Sequence, residues 1–243
     1  MSAPSSAMLL AAGLGTRMRP LTLTRPKPLV EVAGRPLIDH AVARLREAGV
    51  KRVVVNVHWL ADRMLEWVER QAPPPEFLVS DETEELLETG GGLKKALPLL
   101  GPEAFYAINT DSIWLDAGKP ALRRLAEAWD GERMDCLVLT VPPERAVGHS
   151  GGGDFALSDD GRVRRAPGEP GAEVFTGVQI VHPRLFRDAP EGPFSMNLLF
   201  DVAMEAGRMY ALSHDGLWLH VGTPEAVRQA EQAMAARKTD GSA

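Results

Sequence analysis

Short apolar runs alternate with amphipathic segments through the first half of the chain. The apolar runs have the length of buried strands, whereas the amphipathic segments repeat their apolar residues at helical spacing. The predicted strands cover residues 8–12, 52–57, 77–80, 104–109 and 136–141. The predicted helices cover residues 36–48, 60–71, 92–100 and 118–129. This alternation predicts parallel βαβ units in one doubly wound, mostly parallel α/β sheet.

The pattern changes after residue 141. Glycine and charged residues dominate 147–171, and short candidate strands at 154–157 and 162–165 predict a hairpin-bearing β lobe over the sheet. A longer apolar run at 174–181 predicts another strand. The small β lobe therefore interrupts an otherwise regular α/β pattern.

Helix start signals mark the last part of the chain. Ser195 is a candidate cap for a helix that runs to Ala206, and Thr223, Pro224 and Glu225 together begin a last helix that runs to Arg237. No internal repeat or linker is found, so residues 1–243 are predicted to form one domain.

Composition narrows the classes of partner. Hydrophobic residues make up 44% of the chain, charged residues 25%, and the net charge is −6, which argues against nucleic acid as a bulk partner. An anionic ligand must therefore meet local cations and a metal. The one cysteine, Cys136, lies in an apolar run and is interpreted as a buried thiol. No apolar stretch approaches the length of a membrane span, so the expected compartment is the cytoplasm.

A loop with two glycines follows the first strand. Gly13 and Gly15 leave backbone N–H groups open to an anion, and two cations, Arg17 and Lys27, follow them. Arg17 offers a planar fork to phosphate oxygens, whereas Lys27 is a point charge between two prolines. The loop matches neither a dinucleotide fingerprint nor a P-loop. It predicts a polyphosphate site, with a purely structural glycine turn as the alternative.

A carboxylate follows the strand at 104–109. Ligands bind at the carboxyl ends of strands in open α/β sheets, which is where Asp111 falls. Mg²⁺ prefers one or two carboxylates together with phosphate oxygens and water. Asp111 is therefore a candidate magnesium ligand, with a cap or turn role as the alternative.

The segment Glu88-Thr89-Gly90-Gly91-Gly92 stands at a predicted helix start. Its glycines let backbone groups approach a flat ligand, and Thr89 can donate to or accept from a base edge. The alternative is an ordinary connection into a helix.

A longer motif around the glycine loop resembles the signature of the sugar-1-phosphate nucleotidyltransferases. It reads Leu-x-x-Gly-x-Gly-Thr-Arg-x-x-Pro-x-Thr and is followed by Pro-Lys-Pro-Leu. The resemblance implies a Rossmann-like, glycosyltransferase-A-like fold, with a nucleotide-binding half at about 7–112 and a sugar-phosphate-binding half at about 113–235. It implies transfer of a nucleotidyl group from a nucleoside triphosphate to a sugar 1-phosphate. The similarity is greatest to members that use UTP and N-acetylmuramate 1-phosphate in cell-wall sugar recycling.

The resemblance also implies roles for individual residues. Arg17 would hold the β- and γ-phosphates, Lys27 the α-phosphate and Asp111 the metal. The expected nucleotide-binding residues are Leu10, Ala11, Ala12, Gly13, Gly15, Thr16, Arg17, Lys27, Glu88, Thr89, Gly90 and Asn109. The expected sugar-phosphate-binding residues are Asp154, Glu173, Thr176, Gly177 and Asn197.

One position departs from the family pattern. The segment from Trp218 resembles Trp-x-Asp-x-Gly-Thr, whose Asp is a second metal ligand, but His220 stands at that place. Imidazole is a poor ligand for Mg²⁺ and a better one for softer ions, so Mn²⁺ is the alternative to Mg²⁺. Asp111 and His220 are the residues expected at the metal. Four interpretations of His220 stay open: it holds a metal-bound water, Asp111 suffices with the phosphates, the enzyme is impaired, or His220 is a buried structural histidine.

Two rival functions follow. One is the same reaction with GTP and mannose or heptose 1-phosphate. The other is a catalytically silent sugar-nucleotide sensor, which His220 in place of Asp would suit.

Overall fold

A seven-stranded sheet is the centre of the computed structural model, which describes residues 3–239. The strands are β1 (Ser6–Leu10), β2 (Glu31–Val32), β3 (Arg35–Pro36), β4 (Arg52–Val57), β5 (Glu76–Asp81), β6 (Phe105–Asn109), β7 (Ser112–Leu115), β8 (Cys136–Val141), β9 (Ala146–Val147), β10 (Phe155–Leu157), β11 (Val163–Arg165), β12 (Val174–Val181), β13 (Met209–Ser213) and β14 (Leu217–His220). The helices are α1 (Leu37–Glu47), α2 (Ala61–Glu69), α3 (Glu88–Leu100), α4 (Ala121–Ala128), α5 (Met196–Glu205) and α6 (Pro224–Thr239).

The strand order in the central sheet is β13-β8-β12-β6-β1-β4-β5. β12 runs antiparallel to both of its neighbours, and the other neighbouring pairs are parallel. The predicted mostly parallel sheet is therefore confirmed. Because β12 is reversed, it begins at the edge where β6 and β8 end.

Alternate residues of each strand enter different cores, as a sheet covered on both faces requires. Leu9 of β1 packs in the core that contains α1, α2 and α4 side chains, whereas Met8 packs in the core that contains α3 and α5 side chains. Both side chains are fully buried. The doubly wound arrangement is confirmed.

Several predicted bounds agree with the structure, and others need correction. β8 and β12 have the predicted limits. The first strand ends at Leu10 and not at Ala12, because the main-chain nitrogen of Ala11 donates to the Asn56 side chain and leaves the sheet ladder. α4 begins at Ala121 and not at Gly118, since Asp116 accepts a hydrogen bond from the Ala121 nitrogen and Pro120 directly precedes the helix.

The helix predicted at 92–100 begins four residues earlier, at Glu88. Gly90 and Gly91 lie inside its first turns, and both main-chain nitrogens donate to the Phe194 carbonyl. A Cβ on Gly90 would stand 2.3 Å from the Phe194 ring. The glycines therefore allow helix α3 to pack closely against the segment before α5.

Both caps predicted for the last helices are present. The Ser195 hydroxyl accepts from the Asn197 nitrogen at the start of α5, and the Thr223 hydroxyl accepts from the Ala226 nitrogen at the start of α6. α6 continues to Thr239, two residues beyond the predicted end. The one-domain prediction also includes residues 1–2 and 240–243, which lie outside the described residues.

Two small sheets complete the edge where β6 ends. The predicted hairpin lobe is formed by antiparallel β10 and β11, and a bridge from Phe155 to Glu173 joins it to the segment before β12. The other sheet, β7-β14-β9, is not predicted from the sequence. In its register His220 lies opposite Ser112, the residue after Asp111.

Cys136 is buried in β8, as predicted, and burial raises the pKa of its thiol. Among the described residues, no helix combines the length and the apolar character that a membrane span needs.

Candidate active site

A cavity of about 440 Å³ opens at the carboxyl ends of β1 and β6. Its lining combines small residues of the loop after β1 with the charged side chains of Arg17, Lys27, Glu88 and Asp111. Its lining residues are Leu10, Ala11, Ala12, Gly13, Gly15, Thr16, Arg17, Met18, Lys27, Pro28, Asn56, Leu86, Glu88, Thr89, Asn109, Thr110, Asp111, Ser195 and Gly222. All but one of the residues predicted to bind nucleotide are in this list; the exception is Gly90.

The glycine loop turns sharply at Gly15, which has a φ of 61°. Its carbonyl accepts hydrogen bonds from the Thr22 hydroxyl at 2.7 Å and from the Met18 nitrogen at 2.9 Å. A Cβ at Gly15 would stand 3.0 Å from Thr22 and 3.1 Å from Lys27. These hydrogen bonds fix the turn at Gly15, and the aliphatic part of the Lys27 side chain packs against that turn.

Lys27 and Asp111 form an ion pair within the cavity. Lys27 Nζ donates to Asp111 Oδ2 at 2.6 Å, and His220 Nε2 lies 3.6 Å from the same oxygen. Burial by itself raises the pKa of Asp111, but the adjacent His220 imidazole and Lys27 ammonium outweigh it and hold that pKa well below its usual range. Asp111 is therefore ionised at neutral pH and can bind a cation.

Two residues of the site were missed by the sequence analysis. Asn56, at the end of β4, accepts from the Ala11 nitrogen at 2.6 Å and donates to Glu82 Oε1 at 2.7 Å. Glu82 is fully buried, and its other oxygen accepts from the Leu87 nitrogen at 3.2 Å. This network connects the glycine loop with the start of α3. The available signal was the one polar residue inside the apolar run Val-Val-Val-Asn-Val of β4.

The start of α3 forms part of the wall of the cavity. Glu88 and Thr89 line it, and the Thr89 hydroxyl accepts a hydrogen bond of 2.9 Å from the Met196 nitrogen. Glu88 has a φ of 59°, a left-handed conformation that costs a residue with a side chain roughly 1–2 kcal/mol. Gly90 lies behind this wall, against Phe194.

The five residues predicted to bind the sugar phosphate make contacts within the protein. Asp154 accepts from the Phe175 nitrogen, Glu173 accepts from the Thr140 and Ser213 hydroxyls, and the buried Thr176 donates to the Leu139 carbonyl. In the described chain they surround the start of β12 and the start of α5, and they are not among the residues that line the cavity. Their contact with a sugar phosphate stays a prediction.

The other two sugar-site residues are held in a similar way. Gly177 has a φ of 79°, and a Cβ there would stand 2.8 Å from Asn109. Asn197 accepts from Arg165 through its side chain and through its main-chain carbonyl. Gly177 therefore supports the wall that Asn109 forms, while Asn197 connects α5 to the hairpin lobe.

The family model described as the MobA-like NTP transferase domain matches residues 7–236. An N-acetylmuramate alpha-1-phosphate uridylyltransferase of Caulobacter vibrioides is 46% identical over 237 residues, which cover 96% of this chain and 98% of that protein. A protein with the same name from Neisseria meningitidis is 36% identical, over 93% of this chain and 96% of its own.

Solved structures agree at the level of the fold. The crystal structure of HddC from Yersinia pseudotuberculosis complexed with GMP-PN superposes with a TM-score of 0.76 at 24% identity, over 94% of this chain and 99% of that one. Together with the family match, these similarities show that the chain belongs to the MobA-like NTP transferase domain family and, within it, to the sugar-1-phosphate nucleotidyltransferases.

Proposed function

We propose that the chain transfers a uridylyl group from UTP to N-acetylmuramate 1-phosphate, and that it does so in the cavity at the ends of β1 and β6. The observation that carries the proposal is the meeting of Lys27, Asp111 and the glycine loop in one cavity. That arrangement offers backbone N–H groups, a cation and an ionised carboxylate to a triphosphate. The two relatives with the highest identities reported above both act on N-acetylmuramate 1-phosphate by name.

The reaction is an in-line displacement at the α-phosphorus. A phosphate oxygen of the sugar 1-phosphate forms the new P–O bond, and the bond from the α-phosphorus to the pyrophosphate oxygen breaks with its electron pair. The nucleophile is already an anion near neutral pH, so no general base is needed. Catalysis rests on positioning and on stabilising charge that develops in the transition state.

The cavity residues divide this work. Gly13, Gly15 and Thr16 place backbone groups along the triphosphate, as a concave anion site does. Arg17 binds the β- and γ-phosphates through its planar fork. Lys27 stabilises the charge on the α-phosphate. When a triphosphate is bound, its phosphate oxygens compete with the Asp111 carboxylate for the Lys27 ammonium group.

Enzymes of this family generally use divalent metal ions. The ionised Asp111 fits such an ion, because it is a hard oxygen donor at the cavity wall with 22% of its side chain exposed. An ion there would supply positive charge beside the phosphate oxygens. We further propose that the reaction takes place in the cytoplasm and that its product belongs to cell-wall sugar recycling, which the similarity to the two N-acetylmuramate alpha-1-phosphate uridylyltransferases supports.

Pyrophosphate release tests the proposal. Purified protein is supplied with UTP, GTP or CTP against the 1-phosphates of N-acetylmuramate, N-acetylglucosamine, glucose and mannose, with Mg²⁺ or with Mn²⁺. We expect the highest rate with UTP and N-acetylmuramate 1-phosphate. A preference for GTP and mannose 1-phosphate would overturn the substrates and keep the reaction, whereas no release with any pair would overturn the reaction and favour a binding protein.

A further inference from the structure

We propose that a second cavity, between helix α1 and strand β7, binds a small carboxylate that also carries an amide group. This α1–β7 cleft is lined by all four residues of β7, by α1 side chains from His40 to Glu47, by the turn before α1 and by Met234 of α6. Its volume of about 340 Å³ lies at the lower end of the range for small-molecule sites. In the described chain, no residue lines both this cleft and the active-site cavity.

Strand β7 has a free edge. Among the described strands, only β14 pairs with it. The Val221 nitrogen donates to the Asp111 carbonyl at 2.9 Å, which makes Ser112 and His220 a non-hydrogen-bonded pair of the antiparallel ladder. Bonded and non-bonded pairs alternate along such a ladder. The main-chain N–H and C=O groups of Ser112 and Trp114 therefore point away from β14, on the side of the cleft.

An amide is the group that pairs with such an edge. Unpaired N–H and C=O groups of an edge strand accept an added segment through the same hydrogen bonds that join two strands. Ser112 and Trp114 are two residues apart, so their outward groups repeat at about 6.8 Å. A single amide of a small molecule offers one donor and one acceptor, and it can pair with either residue.

Arg35 supplies the positive charge at the rim of the cleft. It donates to a main-chain carbonyl of α1 at 2.7 Å, and among the described residues no carboxylate forms an ion pair with it. Arg44, by contrast, already pairs with Glu47 at 3.0 Å and with Asp116 at 3.7 Å. Burial lowers the pKa of His40, so its ring is mostly neutral at pH 7. Arg35 is therefore the cation that can bind a carboxylate there.

Much of the remaining lining is apolar. It includes Ala43 of α1, Ile113 and Leu115 of β7, and Met234 of α6. Such side chains pack against methyl groups. N-acetylmuramate combines a carboxylate, an amide and two methyl groups, whereas N-acetylglucosamine lacks the lactyl carboxylate. The choice of these two sugars as probes rests on the proposed function.

Calorimetric titration with the two unphosphorylated sugars tests the role of Arg35 without turnover. We expect the wild type to bind N-acetylmuramate on the order of tenfold more tightly, because only this sugar makes a charged hydrogen bond to Arg35. Arg35→Gln should remove the difference. Arg46→Gln is the matched control, since Arg46 lies on α1 outside the cleft and donates to Gln71 and to the Pro74 carbonyl. Equal affinities in the wild type, or a difference that survives Arg35→Gln, would overturn the proposal.

Amide hydrogen exchange, measured by NMR at single residues, locates the bound amide. We expect saturating N-acetylmuramate to slow exchange several-fold at the N–H of Ser112 or Trp114. Ile113 and Leu115 are internal controls, because their N–H groups already bond to β14. Lactate, which has the carboxylate and no amide, should slow neither outward group. Equal slowing at all four residues, or slowing at none, would contradict pairing with the free edge.

The two proposals fail separately. Binding in the α1–β7 cleft without pyrophosphate release would contradict the proposed function alone. Pyrophosphate release without binding in the cleft would contradict this inference alone.

Discussion

Asn56 holds the glycine loop through the main chain of Ala11: the Asn56 side-chain oxygen accepts from the Ala11 nitrogen at 2.6 Å. The amide group of Asn56 also donates to the buried Glu82. The Asn56 and Glu82 side chains also leave no room for a larger residue at position 92 of α3. A Cβ on Gly92 would stand 2.7 Å from Glu82 Oε1 and 3.0 Å from Asn56 Nδ2. The phosphate loop is thus positioned by groups that do not themselves carry the phosphate charge.

Asn56→Leu should weaken both the fold and the binding of nucleotide. Leucine has a similar shape but leaves the Ala11 nitrogen and a Glu82 oxygen buried without this partner, at a cost of about 1–3 kcal/mol. We expect the free energy of unfolding to fall by that amount and the KM for UTP to rise more than the KM for the sugar phosphate. Urea unfolding and steady-state kinetics measure the two effects. Equal changes in both KM values would contradict a role in holding the loop.

Gly15→Ala and Gly13→Ala should differ in stability although they lie in one loop. Gly15 has a positive φ and close neighbours, whereas a Cβ on Gly13 would meet nothing within 4 Å. The left-handed conformation alone costs a residue with a side chain roughly 1–2 kcal/mol. We expect Gly15→Ala to lower the melting temperature clearly and Gly13→Ala to leave it almost unchanged. Similar melting temperatures for the two variants would show that the loop is not constrained at Gly15.

Lys27→Met should remove transition-state stabilisation while preserving the fold. Methionine keeps most of the side-chain stem, and the lost charge is the one that faces Asp111 and the α-phosphate. Removal of one such donor costs ~10²-fold or more in kcat. Lys119→Met is the matched control, because Lys119 pairs with Glu127 on the exposed surface of α4. A comparable loss in both variants would mean that the effect is not local to the cavity.

The buried His214 should make stability depend on pH below neutrality. Burial lowers the pKa of His214, against the smaller opposing effects of Asp116 and Asp215. The unfolded chain, with an ordinary imidazole pKa of about 6.5, then binds a proton more readily than the native protein. Stability is therefore full above that pKa and falls as the pH decreases through it.

Measurements of the free energy of unfolding between pH 8 and pH 5 should show this slope, and His214→Phe should reduce it. Part of the slope should remain, because burial also lowers the pKa of His40 and His182. The same slope in both proteins would rule out His214 as a source of the pH dependence.

Local sequence patterns predicted the parts of the site that depend on residues adjacent in the sequence. The glycine loop, the cap at Ser195 and the bounds of β8 and β12 all follow from runs of a few residues. The position of Asp111 followed because carboxyl ends of parallel strands share one edge. The role of Gly90 did not follow, since a close approach to Phe194 is invisible in the local sequence.

Long-range pairing explains the rest of what was missed. The β7-β14-β9 sheet depends on a register between segments that are far apart in sequence, and that register places His220 beside Asp111. The buried Glu82 lies after β5 in a segment rich in charged residues, so nothing local distinguishes it from its exposed neighbours. Its function as a hydrogen-bond centre appears only when β4, β5 and α3 meet.

Identification of the product by mass spectrometry tests the central claim most directly. Wild type and Asp111→Asn are incubated with UTP, N-acetylmuramate 1-phosphate and a divalent metal ion, and both products are quantified. The account predicts one UDP-N-acetylmuramate for each pyrophosphate in the wild type, and a rate at least ~10²-fold lower in Asp111→Asn with its folded circular dichroism spectrum retained. Pyrophosphate without sugar nucleotide, or an undiminished rate in Asp111→Asn, would contradict it.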